Sequence, residues 1–159
     1  MNDPMNHPSK TIPPDQRRRL VLAAGALLAC GAALATPEQM AASIKAFTGG
    51  AAPTPGKVTL DVAQLVDNGN AVPVTVRVAS PMSAGDHVSA IAIFNERNPQ
   101  SDVAIFTLGA RAGKAEVSTR IRMATSQTLT AVARMSDGTY WSGSADVIVT
   151  LAACIEGEG

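Results

Sequence analysis

Cys154 carries the most reactive group that the sequence offers, a thiol five residues from the C-terminus. The run 146–151, rich in valine and isoleucine, precedes it and is typical of a final strand. Only one isoleucine, two glutamates and two glycines follow it, too few residues to fold over it. Because chain ends are poorly ordered unless they are tied down, the sequence predicts a flexible arm, residues 152–159, that carries Cys154 into the pockets of other proteins.

The rest of the chain offers few groups for catalysis. His87 is the single histidine after residue 35, and without a partner it forms no dyad. Met82, Met123 and Met135 would suit copper together with His87, but they are scattered over several predicted strands and fit ordinary packing better. We find no phosphate-binding glycine loop, no metal-ligand spacing and no Ser-His-Asp set, so we predict a substrate carrier that is not an enzyme and needs no cofactor or metal.

Residues 1–35 have the pattern of an export signal that is removed from the mature protein. Arg17, Arg18 and Arg19 precede an apolar segment, residues 20–29, which is too short to span a membrane. The triplet 33–35 is a small-x-small cleavage site, so the mature chain is predicted to begin at Thr36. The sequence therefore predicts a periplasmic protein.

Two further interpretations concern how the chain is exported and held. Arg18-Arg19 followed by Leu20, Val21 and Leu22 resembles a twin-arginine signal, which exports proteins that are already folded. A competing interpretation takes residues 27–30 as a lipoprotein box, in which Cys30 would be acylated.

Residues 36–159 are predicted to form one domain and its arm. They contain nine Lys and Arg against eleven Asp and Glu, a net charge of −2, which excludes a dominant basic face for nucleic acid or anionic membranes. If Cys30 leaves with the signal, Cys154 is the only cysteine left and no internal disulfide can form. A lone thiol in an oxidising compartment favours a use for that thiol.

The periodicity predicts a short helix followed by a β-domain. Thr36 caps the helix, Pro37 suits its first turn, Gln39 completes a capping box, and the pair 49–50 ends it. Met40, Ile44 and Phe47 form one apolar stripe that would lie on the domain. About seven strands are predicted, in segments that cover residues 58–60 with 62–66, 72–78, 87–94, 103–108, 116–123, 129–135, and 140–141 with 146–151. This pattern predicts an all-β, immunoglobulin-like antiparallel sandwich over residues 36–151.

The sequence resembles a known family, the sulfur-carrier Y subunit (SoxY) of the bacterial thiosulfate-oxidising Sox multienzyme system. The resemblance covers essentially all of residues 36–159 and also includes the cysteine that follows the last strand. It is carried by Ile44-Lys45-Ala46-Phe47, Asn68-Gly69, Val72-Pro73-Val74, Asn98-Pro99, Thr119-Arg120-Ile121-Arg122-Met123-Ala124, Ser126-Gln127 and Asp137-Gly138.

The resemblance implies a specific role. It implies an immunoglobulin-like sandwich that forms a heterodimer with a Z-type subunit, which lacks its own signal and is exported bound to the Y subunit. It implies that Cys154 holds the sulfur substrate covalently. A c-type cytochrome complex would conjugate thiosulfate to the cysteine, a hydrolase would release sulfate, and a dehydrogenase would oxidise the remaining sulfane.

The tail departs from the Gly-Gly-Cys-Gly-Gly pattern of that family. Ala152 and Ala153 precede the cysteine and Ile155 follows it, so the arm is predicted to be stiffer. Glu156 and Glu158 disfavour the thiolate, so activation is expected from the receiving pocket. The alternatives are an immunoglobulin-like adaptor whose Cys154 forms only an intermolecular disulfide, a lipoprotein anchored through Cys30, and a small enzyme.

Overall fold

The computed structural model describes residues 34–151, in which one helix precedes a β-rich domain. A short 3-10 turn at Ala110–Ala112 is the other helical segment described, and no helix in this range is long and apolar enough to cross a membrane. In chain order the elements are α1 (Pro37–Thr48), β1 (Thr54–Pro55), β2 (Val58–Asp61), β3 (Leu65–Val66), β4 (Val72–Val78), β5 (Val88–Asn95), β6 (Asp102–Thr107), β7 (Glu116–Ile121), β8 (Gln127–Met135) and β9 (Tyr140–Val149).

Helix α1 begins and ends at the residues that the sequence predicted. The side chain of Thr36 accepts from the backbone N–H of Gln39, and the side chain of Gln39 accepts from the backbone N–H of Thr36, which completes the capping box. Pro37 lies in the first turn, where its missing N–H is not needed. Gly49 ends the helix with φ 64°, a left-handed conformation that favours glycine.

Two sheets face each other. The larger sheet has the order β1-β9-β8-β5-β6, and β3 also pairs with β9. The smaller sheet has the order β2-β4-β7. The long neighbours pair antiparallel, whereas the two-residue strands β1 and β3 pair parallel to β9.

The core lies between the two sheets. Val72, Val74, Val76 and Val78 alternate with exposed or half-buried residues along β4, so only one face of the smaller sheet is buried. Strand β5 instead reads as a nearly continuous apolar run, because the larger sheet is covered on both faces. Its inner face contributes Ile91 and Ile93 to the core, together with Leu129, Ala131 and Ala133 from β8 and Val147 from β9.

Helix α1 covers the outer face of the larger sheet. Its stripe of Met40, Ile44 and Phe47 packs against the buried side chains of Ala92, Phe94 and Val132. The ring of Phe47 meets the rings of Phe94 and Tyr140 edge to face, with each pair of centroids 6.0 Å apart. The prediction that the helix lies on the domain is therefore confirmed.

The predicted immunoglobulin-like sandwich with a short N-terminal helix is confirmed, with nine strands in the described range instead of about seven. Two of the additional strands, β1 and β3, contain only two residues each. The segments predicted at residues 140–141 and 146–151 form the single strand β9. Pro73 lies in the central strand of the smaller sheet, where its missing N–H could cost a hydrogen bond. Strand β2, however, pairs with β4 only from Thr75 onward, so no strand on that side needs an N–H from Pro73.

Candidate functional site

Strand β9 delivers the chain to the predicted arm, and its end is held firmly in place. After Val149 the backbone N–H of Thr150 donates to the carbonyl of Val66, at 3.0 Å. The carbonyl of Leu151 accepts from the backbone N–H of Gly69 at 2.8 Å, and the carbonyl of Gly69 accepts from Met123 at 2.8 Å. The chain is therefore tied to two neighbouring segments up to its last described residue.

Side chains reinforce this anchor. The hydroxyl of Ser126 accepts from the backbone N–H of Val149 at 2.9 Å, and the hydroxyl of Thr150 donates to the carbonyl of Asp67 at 3.2 Å. The turn that supplies Gly69 is stabilised in turn by Asn68, whose side-chain oxygen accepts from the N–H of Asn70 at 2.9 Å. Asn68-Gly69, one of the pairs that carry the family resemblance, thus lies in a turn that helps to position the end of β9.

Three exposed apolar side chains lie at or near the end of β9. Leu65 and Ile148 are register partners in the parallel pair of β3 and β9, and their exposed fractions are 60% and 59%. Leu151, three residues beyond Ile148, is 63% exposed. We refer to Leu65, Ile148 and Leu151 as the root patch. Sequence reasoning missed it, because apolar residues in a strand pattern are expected to face the core.

Cys154 lies outside the described residues, so its role stays a prediction. The covalent chain nevertheless limits where the cysteine can go. Two residues lie between it and Leu151, so three Cα–Cα steps join the two. A fully extended chain spans at most about 3.6 Å per step, so the Cα of Cys154 stays within about 11 Å of that of Leu151. Any protein that receives the thiol must therefore come close to the root patch.

The other residues considered for chemistry have structural surroundings. His87 precedes β5 and is half-buried, with its Nδ1 3.1 Å from the carbonyl oxygen of Ser83. Met82, Met123 and Met135 are buried members of the core between the sheets. Within residues 34–151 no group of three or more His, Cys, Asp or Glu side chains is placed to hold a metal ion.

Comparison with known proteins identifies the family of this fold and site. A family model described as "Sulfur oxidation protein SoxY" matches residues 44–154, most of the chain and a range that includes Cys154. The chain belongs to the SoxY family. Among solved structures, the sulfur carrier protein SoxY from Chlorobium limicola f thiosulfatophilum is 30% identical, with a TM-score of 0.61, and the match covers 73% of this chain and 100% of that one. SoxY membership supports a role as a sulfur carrier in sulfur oxidation.

More distant neighbours share the fold alone. Superoxide reductase (neelaredoxin) from Ignicoccus hospitalis is 13% identical with a TM-score of 0.53, and the match covers 73% of this chain and 94% of that one. A putative superoxide reductase from Thermotoga maritima is 17% identical with a TM-score of 0.52, over 65% of this chain and 89% of that one. The comparison with curated protein sequences gave no match.

Proposed function

We propose that this protein is a periplasmic sulfur carrier in thiosulfate oxidation, which holds sulfur intermediates covalently on Cys154 and presents them to partner enzymes. The observation that carries the proposal is the position of the thiol. Cys154 follows by three residues a strand end that is bonded through Leu151, and it falls within the range that the SoxY family model matches. A rigid domain followed by a short tether suits a group that must visit several active sites.

The chemistry asks little of the carrier itself. When thiosulfate is joined to Cys154, the thiol loses a proton, a sulfur–sulfur bond forms, and two electrons leave to an oxidant, which we propose to be a c-type cytochrome complex. A hydrolase then adds water and releases sulfate, so that a persulfide remains on the cysteine. A sulfane dehydrogenase then oxidises that outer sulfur, taking up three waters and passing six electrons to a cytochrome acceptor, so that an S-sulfonate remains on the cysteine. The hydrolase adds water to this S-sulfonate, releases a second sulfate and returns the thiol. We therefore propose a covalent substrate carrier that is not itself an enzyme and has no cofactor.

We also propose that the carrier forms a heterodimer with a Z-type sulfur-carrier subunit. The domain has exposed apolar side chains that a partner would cover, among them Ile105 on the edge strand β6, which is 59% exposed. Export in the folded state by the twin-arginine route would allow a subunit without its own signal to leave the cytoplasm together with this one.

The test of the carrier function is the variant Cys154→Ser. Because the thiol lies beyond the last strand, the change should alter the free energy of unfolding by no more than about 0.5 kcal/mol. It should abolish sulfur loading, because a serine hydroxyl forms no bond to sulfane sulfur under these conditions. The measurement is the mass of the C-terminal peptide after incubation with thiosulfate and the oxidising cytochrome, with thiosulfate omitted as the control.

Three outcomes separate the candidate functions. An adduct on the wild-type peptide that reductant removes, and none on the serine variant, supports the carrier. A disulfide-linked dimer that collapses on reduction, with no sulfur adduct, would instead favour the adaptor. An unmodified wild-type peptide in the presence of a competent cytochrome would contradict the carrier function.

A further inference from the structure

Ala35, the residue immediately before the predicted cleavage point, is part of the folded domain. It is only 6% exposed, whereas its neighbour Leu34 is 41% exposed. Its backbone N–H donates to the carbonyl of Asn98 at 2.8 Å.

The acceptor of this hydrogen bond is itself rigidly held. The side-chain amide of Asn98 donates to the carbonyl of Arg122 at 2.7 Å, and its side-chain oxygen accepts from Ala124 N–H at 2.9 Å and from the Gln127 amide at 2.8 Å. The backbone N–H of Asn98 donates to the side chain of Asn95. Ala35 is therefore bonded to a fixed point of the β-domain, which would hold the chain in place just before α1.

The bond between Ala35 and Thr36 is poorly placed for a protease that acts on the folded protein. Proteolysis concentrates in exposed segments that can be drawn into an extended conformation. This bond has a buried, hydrogen-bonded residue on one side and the N-cap of α1 on the other. Cleavage here would also place a new α-ammonium charge on Thr36, at the positive end of the helix dipole, where a cation is unfavourable.

The bond two residues earlier has none of these obstacles in the described part of the chain. It precedes Leu34, which is exposed. The triplet Gly31-Ala32-Ala33 provides a second small-x-small pattern directly before that bond. The new ammonium group would then lie on Leu34, further from α1, and the hydrogen bond from Ala35 to Asn98 would be kept.

We propose that the export signal is removed after Ala33, so that the mature protein begins at Leu34 and keeps Ala35 as part of its fold. This inference rests on the proposed export of the folded chain. Two small-x-small patterns overlap here, residues 31–33 and residues 33–35. Cleavage after the first keeps Ala35 in the folded domain, whereas cleavage after the second removes it, so the start of the folded domain selects between the two sites.

The test is the intact mass of the mature protein from the periplasmic fraction of cells that express the full chain. The two candidate products differ by one leucine and one alanine, which mass spectrometry resolves. A mature N-terminus at Leu34 supports the inference. An N-terminus at Thr36 overturns it but leaves the export and the carrier function standing. Uncleaved precursor in the periplasmic fraction overturns this inference alone, whereas precursor confined to the cytoplasm overturns the export as well; sulfur loading of Cys154 can be measured separately in either case.

A pair of variants gives an independent check. Gly31→Phe removes the small residue three positions before the proposed site, so the product that begins at Leu34 should be lost and the precursor should accumulate. Ala35→Val removes the small last residue of the other pattern with little added volume at this buried position, and it should still yield an N-terminus at Leu34. The double change Arg18→Lys, Arg19→Lys supplies the mass of unprocessed chain. Unchanged processing of the Gly31 variant would overturn the inference.

Discussion

Gly143 in β9 lies so close to β2 that no other residue fits. A Cβ added at this position would overlap the carbonyl oxygen of Val58, a backbone atom that cannot move without displacing its strand. Val58 is the first residue of β2 in the smaller sheet, whereas Gly143 pairs with Ala131 in the larger one. The absence of a side chain at Gly143 therefore allows the two sheets to meet along this line.

We expect Gly143→Ala to lower the free energy of unfolding by about 1–3 kcal/mol, the usual cost of forcing extra atoms into a packed site. Urea denaturation of the two proteins measures the difference. The matched control is Gly109→Ala, because Gly109 has φ −133° and open space where its Cβ would lie. That control should change stability by no more than about 0.5 kcal/mol. Equal stabilities of the Gly143 variant and the wild type would contradict the close approach of β2 and β9.

At the scale of the element, the turn between β8 and β9 contains a carboxylate with a shifted pKa. The hydroxyl of Thr139 donates to Oδ1 of Asp137 at 2.7 Å, and the backbone N–H of Thr139 donates to the same atom at 2.9 Å. These bonds, the hydroxyl first, hold the pKa of Asp137 below its ordinary value. The ionised form therefore stabilises the turn.

We expect Thr139→Val to raise the pKa of Asp137 toward its ordinary value, because the valine removes the stronger of the two donors. Since the folded-state pKa is lowered, the stabilisation is present above the ordinary pKa and is lost as the pH falls through the folded value. The melting temperatures of variant and wild type should therefore differ at neutral pH and converge in acid. An NMR titration of the Asp137 carboxyl carbon measures the pKa directly, and Thr107→Val on exposed β6 is the control. An unchanged titration in the Thr139 variant would refute the assignment.

The elements also show what local sequence can and cannot predict. The capping box of α1 was predicted because Thr36, Pro37 and Gln39 each act on their nearest neighbours. The middle of β9 was not, because Ser142, Gly143 and Ser144 lack the β-branched and aromatic residues that mark a strand. Their strand conformation comes from pairing with β8, including a contact of 2.9 Å between the hydroxyls of Ser144 and Thr130.

The candidate site divides in the same way. The sequence singled out Asn68-Gly69, which lies in the turn that anchors the end of β9, because these residue types are recognisable by themselves. The role of Cys154, which lies outside the described residues, stays a prediction. The sequence did not predict the root patch, because only the pairing of β3 with the outer part of β9 leaves Leu65 and Ile148 exposed. Exposure of an apolar strand residue depends on which neighbours the fold supplies, and these are distant in sequence.

For the whole molecule, the exposed faces differ in what they offer a partner. The outer face of the smaller sheet is polar, and its charged side chains pair with one another. Arg77 forms ion pairs with Asp61 and Glu116, each at 2.9 Å, and these carboxylates raise the pKa of its guanidinium. The edge strand β6 exposes Ile105 and has no strand of the described range paired to its outer side. The root patch is the second apolar surface, and it lies within reach of the arm. If the proposed carrier function is right, β6 is the surface that we expect the partner subunit to cover, and the root patch is the surface that we expect the enzymes receiving Cys154 to approach.

This assignment predicts opposite effects for two substitutions. Ile105→Asp should weaken the complex with the co-expressed Z-type subunit about tenfold or more, the effect of losing an apolar side chain from a covered interface. It should leave loading by the cytochrome intact when the subunits are held together at high concentration. Ile148→Asp should do the reverse, keeping the heterodimer but slowing the transfer of sulfur, because a receiving pocket cannot accept Cys154 without approaching the root patch.

Calorimetry measures the first effect and the rate of adduct formation on the C-terminal peptide measures the second. The control is Thr59→Asp, which adds the same charge to the exposed outer face of the smaller sheet and should change neither quantity. A loss of heterodimer in the Ile148 variant with normal binding by the Ile105 variant would reverse the assignment. If neither Ile105→Asp nor Ile148→Asp altered the heterodimer affinity or the rate of adduct formation, the partners would have to approach by another face. A specific complex buries roughly 1,200 Å² or more in its interface. The surface that the partner subunit covers must therefore include Ile105 and extend well beyond β6.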